Sequence, residues 1–458
     1  MELYDDNRKI ERKENIEKQD NQLIYDILNR NYYKEFSKTN SSKNIELIIN
    51  RTNKNSQCYG CFNNTEKLMY PSVDFTENDY NKIYENLSAF LKFYVTNKWK
   101  CPIELIGIDW TNEKICDRFL ILLQNFTSKC PFKDLPPKFI INTDFYGGFN
   151  DEDILLKWRI LYENFKKCGI DLFFNIYANG LYCDDNQYSE KYYNKLIRMI
   201  EDEQIENSDF KIIAYVRPNN IKNWIKNYDW WIKNLGTLAF TNIELREEKT
   251  DKWTYDLISE YILFLNYQID YLHHNCNNEQ FLNIIFNKLK NITFQNINLL
   301  ENHYLDNENK NNNCNFFKNL TIDLTSMNIV PCPKVNYKDF ACGQYIIKDG
   351  NIDYLKAKNI PMIIYNTHLK QSCLPHCELC KHIELCQGHC LGESYNKCYD
   401  MLVPIKEFCD LSKAKINFLI YKYNALNILT KENMAKFNCN EYYVRTILNF
   451  VDQIKEAL

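Results

Sequence analysis

The stretch Ile45–Ile49 reads IELII, and Ile103–Ile108 reads IELIGI. Four further short apolar runs follow along the chain: Phe139–Ile141, Leu172–Ile176, Ile212–Val216 and Ile243–Leu245. Stretches with helical spacing separate the runs: Tyr80–Lys98, Cys116–Phe126, Asp153–Cys168, Tyr188–Glu201 and Ile221–Leu235. Alternating strands and helices are typical of βαβ units, and continuous apolar runs are typical of buried parallel strands. Six units are too few for an eight-fold barrel, so the sequence predicts an α/β fold with a partial (β/α)6 barrel or an open sheet.

Composition excludes several classes of function. The 458 residues carry a net charge of −4, so no global basic field attracts nucleic acid or an anionic membrane. The charged start of the chain does not resemble a signal peptide, and no apolar run reaches the roughly 18 residues of a membrane span. Only 11 glycines are present, and neither GxGxxG nor a P-loop occurs. We therefore expect a cytoplasmic protein without a nucleic acid or membrane partner.

The cysteines form the strongest motif. The chain has 19 of them, and CELCKHIELCQGHC places four in the spacing C-x2-C-x5-C-x3-C, with Cys409 following 19 residues after the last: Cys377, Cys380, Cys386 and Cys390. A C-x-x-C turn brings two thiolates to one metal, and later cysteines complete the shell. In a reducing compartment such clusters more often bind metal than form disulfides. Three adjacent histidines have two interpretations, metal ligands or, more commonly, side chains of a solvated loop: His376, His382 and His389.

This run, with Gly388 and Cys409, resembles the SPASM domain of radical SAM peptide-modifying enzymes, which carries auxiliary [4Fe–4S] clusters. The resemblance implies that four cysteines share one cluster: Cys377, Cys380, Cys386 and Cys409. It also implies that Cys390 turns toward a second auxiliary cluster. Upstream, Cys342 and Gly350 match the family, but Leu355 stands where a further cysteine belongs. Cys332 or Cys373 would have to replace that ligand if the second cluster is present.

A radical SAM core motif is also partly matched. After the first apolar run, Cys58 and Cys61 fit the end of the family's C-x3-C-x2-C signature, while Lys54 takes the place of its first cysteine. Gly107-Ile108-Asp109-Trp110 stands where the family has GGEP, so the resemblance implies a degenerate S-adenosylmethionine site at Gly107 and Asp109. Two further family landmarks are partly matched, by Asn179-Gly180 and by Asn219.

The predicted organisation has five parts. They are an N-terminal extension (1–43), the radical-SAM-like partial barrel (44–250), a helical connection (251–331), the cysteine-rich SPASM-like iron–sulfur domain (332–410) and a helical tail (411–458).

Three interpretations stay open. The chain is a radical SAM/SPASM-type enzyme that uses a [4Fe–4S] cluster and S-adenosylmethionine to modify a precursor peptide. Alternatively, it is a degenerate paralogue that serves as partner or peptide-binding scaffold of an active maturase. In the third, it is a zinc-binding interaction protein. Because fold does not fix function, the altered site residues leave enzymatic activity undecided at this stage.

Overall fold

A computed structural model provides the fold. It describes residues 2–37, 44–49, 77–107, 121, 138–143, 152–167, 169–183, 190–201, 205–206, 208–247, 252–291, 319–335, 338–359, 376–377, 379–382 and 390–436. The chain divides into two compact units. The first contains Met1–Tyr177, Asp202–Phe210 and Asn315–His368, and the second contains Ala178–Glu201, Lys211–Cys314 and Leu369–Leu458.

All six predicted apolar runs form strands. The strands of the described residues are β1 (Ile45–Ile48), β2 (Ile103–Ile106), β3 (Phe139–Thr143), β4 (Leu172–Tyr177), β5 (Phe210–Val216), β6 (Ile243–Glu247), β7 (Leu320–Asp323), β8 (Asn328–Val330), β9 (Gly343–Lys348) and β10 (Asn351–Ala357). The α-helices are α1 (Glu2–Leu28), α2 (Lys34–Phe36), α3 (Glu77–Thr96), α4 (Glu152–Lys167), α5 (Glu190–Glu201), α6 (Trp224–Leu235), α7 (Leu238–Thr241), α8 (Tyr255–Asn275), α9 (Asn278–Asn291), α10 (Leu391–Cys398), α11 (Lys406–Ala425) and α12 (Lys431–Lys436).

The first unit is built on a mixed sheet with the strand order β10-β9-β8-β7-β1-β2-β3-β4. Strands β7, β1, β2, β3 and β4 pair in parallel, as expected for strands joined through helices. Strands β7 to β10 pair antiparallel and extend the sheet at one side. The parallel α/β sheet predicted from the apolar runs is thus confirmed.

The two faces of the parallel strands differ in polarity. On β1 and β2, the identical tetrapeptides IELI lie in register, so that Ile45 pairs with Ile103 and Glu46 with Glu104. Side chains alternate between faces along a strand. One face of β4 is buried, whereas Phe173, Asn175 and Tyr177 on the other face are partly exposed. We call this second, partly polar side of β1 to β4 the inner face.

The N-terminal extension folds as part of the first unit. Helix α1 packs beside β10, where the backbone N–H of Ala357 donates to Oδ1 of Asn21 at 2.7 Å and Lys356 pairs with Glu17 at 3.1 Å. A Cβ at Gly343 would stand 2.5 Å from the Cδ1 of Ile24, so a larger residue there would displace the tip of this side chain of α1. The extension covers the edge of the sheet that β10 would otherwise expose.

In the second unit, β5 and β6 pair in parallel. Aromatic side chains of α6 lie in the core of this unit, since Trp224, Tyr228 and Trp231 are buried. The predicted helix from Ile221 begins instead with a 3-10 turn over Ile221–Asn223, and the α-helix starts at Trp224. Within the described residues, no helix combines the length and the apolarity that a membrane crossing requires.

Two predicted segment boundaries differ from the structure. The helical connection is helical through α8 and α9, but its last residues form β7 and β8, which belong to the sheet of the first unit. The boundary at residue 410 falls inside α11, so Cys409 and the predicted tail share one helix. Cysteine spacing located the metal motif but carried no information on where this helix begins.

Candidate metal centre and sheet landmarks

Several predicted site residues lie outside the described part of the chain. These are Lys54, Cys58 and Cys61 of the core motif, Asp109 with its neighbours Ile108 and Trp110, and the cysteines Cys373 and Cys386. Gly107 is described. It follows β2 directly and has φ +81°, a left-handed conformation that glycine adopts without steric cost. At this landmark the backbone itself therefore requires a glycine.

The landmark Asn179-Gly180 forms a rigid loop after β4. The Asn179 carbonyl accepts hydrogen bonds from Nδ2 of Asn227 at 2.7 Å and from Nε1 of Trp231 at 3.2 Å, both on α6. Gly180 has φ +113°, and a Cβ there would lie 2.5 Å from the side chains of Asn227 and Trp231. Packing against α6 explains why this position is glycine.

Asn220, the neighbour of the predicted Asn219, orders the loop after β5. Its Oδ1 accepts hydrogen bonds from the backbone N–H of Arg217 at 2.8 Å and from Nε1 of Trp224 at 2.9 Å. Its Nδ2 donates to the carbonyl of Tyr215 at 3.1 Å. A buried side chain that ties the end of β5 to α6 was invisible in the sequence, where Asn219 and Asn220 are equivalent.

Three of the predicted cluster ligands are described and lie in the second unit. The Cys377–Cys380 segment forms a tight turn in which the N–H of Cys380 donates to the Cys377 carbonyl at 2.9 Å. Burial, followed by the charges of Cys409 and Cys380, raises the pKa of the Cys377 thiol to about 11, although Lys413 opposes the rise. The charge of Cys409 on α11 therefore affects the pKa of a cysteine in the C-x-x-C turn.

Helix α11 presents one face to this turn. Cys409, Lys413 and Asn417 follow one another at intervals of four residues, which places them on the same side of a helix. Oδ1 of Asn417 accepts a hydrogen bond from Nε2 of His382 at 3.0 Å. His382 is only 4% exposed, so its interpretation as a solvated loop residue is wrong. Burial also lowers the pKa of this imidazole.

The thiols of Cys377, Cys380 and Cys409 belong to the ligand type that soft metal ions prefer. Thiolates are the ligands of iron–sulfur clusters and of structural zinc. In the described part of the chain, no three or more Cys, His, Asp or Glu residues are arranged as a metal site. Cys386, the remaining predicted ligand, lies outside that part.

The predicted ligands of a second cluster lie in different surroundings. Cys342 is fully buried in the first unit, where its thiol donates to the Phe340 carbonyl at 3.4 Å and burial raises its pKa strongly. Cys332 is buried in the same unit, and Cys390 precedes α10 in the second unit. The prediction of a second cluster stays a prediction.

A polar row on the inner face was missed by the sequence analysis. Nδ2 of Asn142 donates to Glu104 at 2.9 Å, while Oδ1 of Asn142 accepts from Asn175 and from the Tyr177 hydroxyl, each at 3.1 Å. Glu46 continues the row on β1. The signal was present, because a glutamate occupies the same place in both IELI segments. Burial accounts for the apolar residues of these runs, but not for the two glutamates.

The protein has an α/β fold whose parallel sheet resembles that of radical SAM proteins, with antiparallel strands and helices toward the C-terminus. Among solved structures, "Native anSMEcpe with bound AdoMet" is similar over 84% of this chain and all of that chain, with TM-score 0.53 and 14% identity. The similar protein, anSMEcpe, binds AdoMet. At this identity the likeness concerns the fold. No protein-family model and no curated protein matches the chain.

Proposed function

We propose that the protein is a radical SAM/SPASM-type protein of ribosomal peptide maturation that binds one auxiliary [4Fe–4S] cluster and does not cleave S-adenosylmethionine. The observation that carries the proposal is the tight turn of Cys377 and Cys380, in which the N–H of Cys380 donates to the Cys377 carbonyl at 2.9 Å. Likeness of the fold to anSMEcpe, which binds AdoMet, supports the same class.

At the auxiliary site, four thiolates would hold the cluster: Cys377, Cys380, Cys386 and Cys409. A bound cluster supplies electron-transfer capacity and fixes the loop that carries its ligands. The chain's own contribution is to hold the turn against α11 through His382 and Asn417. Reduced thiols of this kind suit a cytoplasmic protein.

At the core site, Lys54 argues against catalysis. A lysine is a cation at neutral pH and does not replace a thiolate ligand. Its ammonium would also repel the sulfonium of S-adenosylmethionine, and at ~4 Å two like charges cost about 1 kcal/mol even in water. We therefore infer that the chain acts beside an active maturase, or as a scaffold that binds a precursor peptide.

The experiment is anaerobic reconstitution of the wild-type protein and of Lys54→Cys, followed by iron and sulfide counting and assay of 5′-deoxyadenosine. The wild type should be brown, with about one [4Fe–4S] cluster and no cleavage of S-adenosylmethionine. Lys54→Cys should add a second cluster and begin to form 5′-deoxyadenosine. Robust cleavage by the wild type would instead identify a catalytic enzyme.

A second candidate is a zinc-binding interaction protein, and the burial of His382 favours it. Metal-bound histidines commonly hydrogen-bond through the nitrogen that does not bind the metal, as the Nε2 of His382 does toward Asn417. Together with cysteines, such a histidine would make a structural zinc site. Colourless protein with one equivalent of zinc and no iron would establish this candidate in place of the first.

A further inference from the structure

Two glutamates meet on the inner face of the first unit. Because the IELI segments of β1 and β2 pair in register, Glu46 and Glu104 are direct neighbours across parallel strands. Adjacent strands lie about 4.8 Å apart, and side chains at paired positions point to the same face. Like charges at paired positions of a sheet destabilise it. The charges of the two carboxyl groups therefore act on each other across the β1–β2 pairing.

The Glu46 carboxyl accepts its hydrogen bonds from neutral side chains. It is 5% exposed, and its oxygens accept hydrogen bonds from Nδ2 of Asn319 at 2.7 Å and from Oγ1 of Thr321 at 2.6 Å. Thr321 is its register partner on β7, so the row continues across three strands. On the other side, Glu104 accepts from Asn142 of β3 at 2.9 Å.

Among the residues that the structure describes, the titratable groups whose charges act on Glu46 come from two elements. Glu104 faces it from β2, and the Tyr32 phenol faces it from the π-helical turn Asn29–Tyr33. Burial raises the pKa of Tyr32 well above its ordinary value, so this group stays neutral. Burial, followed by the charge of Glu104, raises the pKa of Glu46 to about 7, although Thr321 and Asn319 oppose the rise. Two buried carboxylates at one position do not both ionise readily.

We propose that Glu46 and Glu104 share one proton at and below neutral pH, and that losing it adds one negative charge to the inner face and weakens the β1–β2 pairing. This device is independent of metal binding at the C-terminal cysteines. It makes the charge of the sheet interior depend on pH in the physiological range.

The direction of the pH effect follows from the proton count. Between an ordinary glutamate pKa and about pH 7, the folded chain keeps a proton that the unfolded chain has lost. Stability contributed by the shared proton is therefore present in acid, is lost as the pH rises through this interval, and changes no further above it. One proton alters the unfolding constant by at most tenfold per pH unit.

The test is urea unfolding of the full-length protein from about pH 5 to about pH 8.5, with Glu46→Gln, Glu104→Gln and the exposed control Glu163→Gln. The unfolding constant of the wild type should rise, relative to that of Glu46→Gln, by up to tenfold per unit below about pH 7, and then stay parallel. In Glu104→Gln, the rise of the unfolding constant should stop at a lower pH, because the charge that raises the pKa of Glu46 is gone. Glu163→Gln should follow the wild type.

Equal pH slopes for the wild type and Glu46→Gln would overturn the proposal. An unchanged end point in Glu104→Gln would assign the effect to burial alone and would overturn the sharing. Should Glu46→Gln fail to fold, infrared titration of the wild type decides. A protonated-carboxyl band that disappears around neutral pH supports the pair, and its absence across the titration refutes it.

Discussion

His382 donates a hydrogen bond from Nε2 to Oδ1 of Asn417, and this bond joins the C-x-x-C turn to α11 across 35 positions of sequence. Because Cys409 lies on the same face of the helix as Asn417, the contact holds that face against the turn.

Asn417→Ala should weaken this attachment. It removes the acceptor of a buried imidazole, and an uncompensated buried donor costs about 1–3 kcal/mol. Urea unfolding measures the loss, and iron content after reconstitution should fall with it. Asn424→Ala, a half-buried asparagine on the same helix, is the matched control and should alter neither quantity. Equal effects of the two substitutions would contradict the role given to His382.

Cysteine substitutions test the assignment of the metal ligands. Cys380→Ser and Cys409→Ser should each abolish most metal binding, because metal affinity depends on a complete ligand set and couples to folding of the loop. Iron and zinc counts on the purified variants measure the result. Cys398→Ser replaces an exposed thiol of the same unit and should retain full metal content. Undiminished metal in Cys409→Ser would remove α11 from the site.

Helix α11 is also held by a buried ion pair on another face. Lys415 pairs with Glu247 at the end of β6, and the Tyr261 hydroxyl donates to the same carboxylate. Lys415→Met should destabilise the protein by about 3–5 kcal/mol, since it leaves a buried charge without its partner. The double variant Lys415→Met/Glu247→Leu should recover most of the loss, as a chemical denaturation cycle would show. Breaking the exposed pair Arg159–Glu163 should cost at most about 1 kcal/mol.

The same ion pair predicts a loss of stability in acid. Burial alone would raise the pKa of Glu247, but the charge and hydrogen bond of Lys415 outweigh it and lower the pKa. A lowered folded-state pKa adds stability above the ordinary carboxyl pKa, and the gain disappears as the pH falls through the folded value. Acid denaturation should therefore separate the wild type from the double variant, with the wild type losing more. Parallel acid curves would exclude this linkage.

Gly180→Ala should be among the more damaging small substitutions. The added methyl would meet Asn227 and Trp231 at 2.5 Å in a backbone conformation that disfavours side chains. We expect a cost of about 2–5 kcal/mol from overpacking and strain together. Gly236→Ala is the control, because Gly236 also has positive φ but open space around it. Thermal unfolding should place its cost at about 1–3 kcal/mol, from backbone strain alone.

The sequence predicted the parallel strands because each consists of residues that must be buried from water on at least one face. Ile45–Ile48 and Ile103–Ile106 are clear cases. It did not predict β7 and β8. Leu320–Asp323 and Asn328–Val330 are only four and three residues long, and the first pairs in parallel with β1, which is distant in sequence. Such strands exist because the neighbouring strand offers hydrogen bonds, not because of their own pattern.

The candidate site shows the same division. The C-x-x-C turn is local and was visible in the sequence. The burial of His382 was not, because it depends on a helix that begins at Lys406. Likewise, Asn220 and Asn227 gain their importance from contacts across the unit, where each satisfies backbone groups of a loop.

The two-sided use of α11 has a consequence for how this sequence can diverge. One side of the helix carries Cys409 and Asn417 and faces the cysteine turn. Another side carries Lys415 and Lys422, which pair with acidic residues on β6 and α8. A helix contacted on both sides cannot rotate to accommodate a change on one side without disturbing the other. Among related chains, substitutions at Lys415 should therefore co-vary with those at Glu247, and a loss of the cysteines should be accompanied by drift at Asn417.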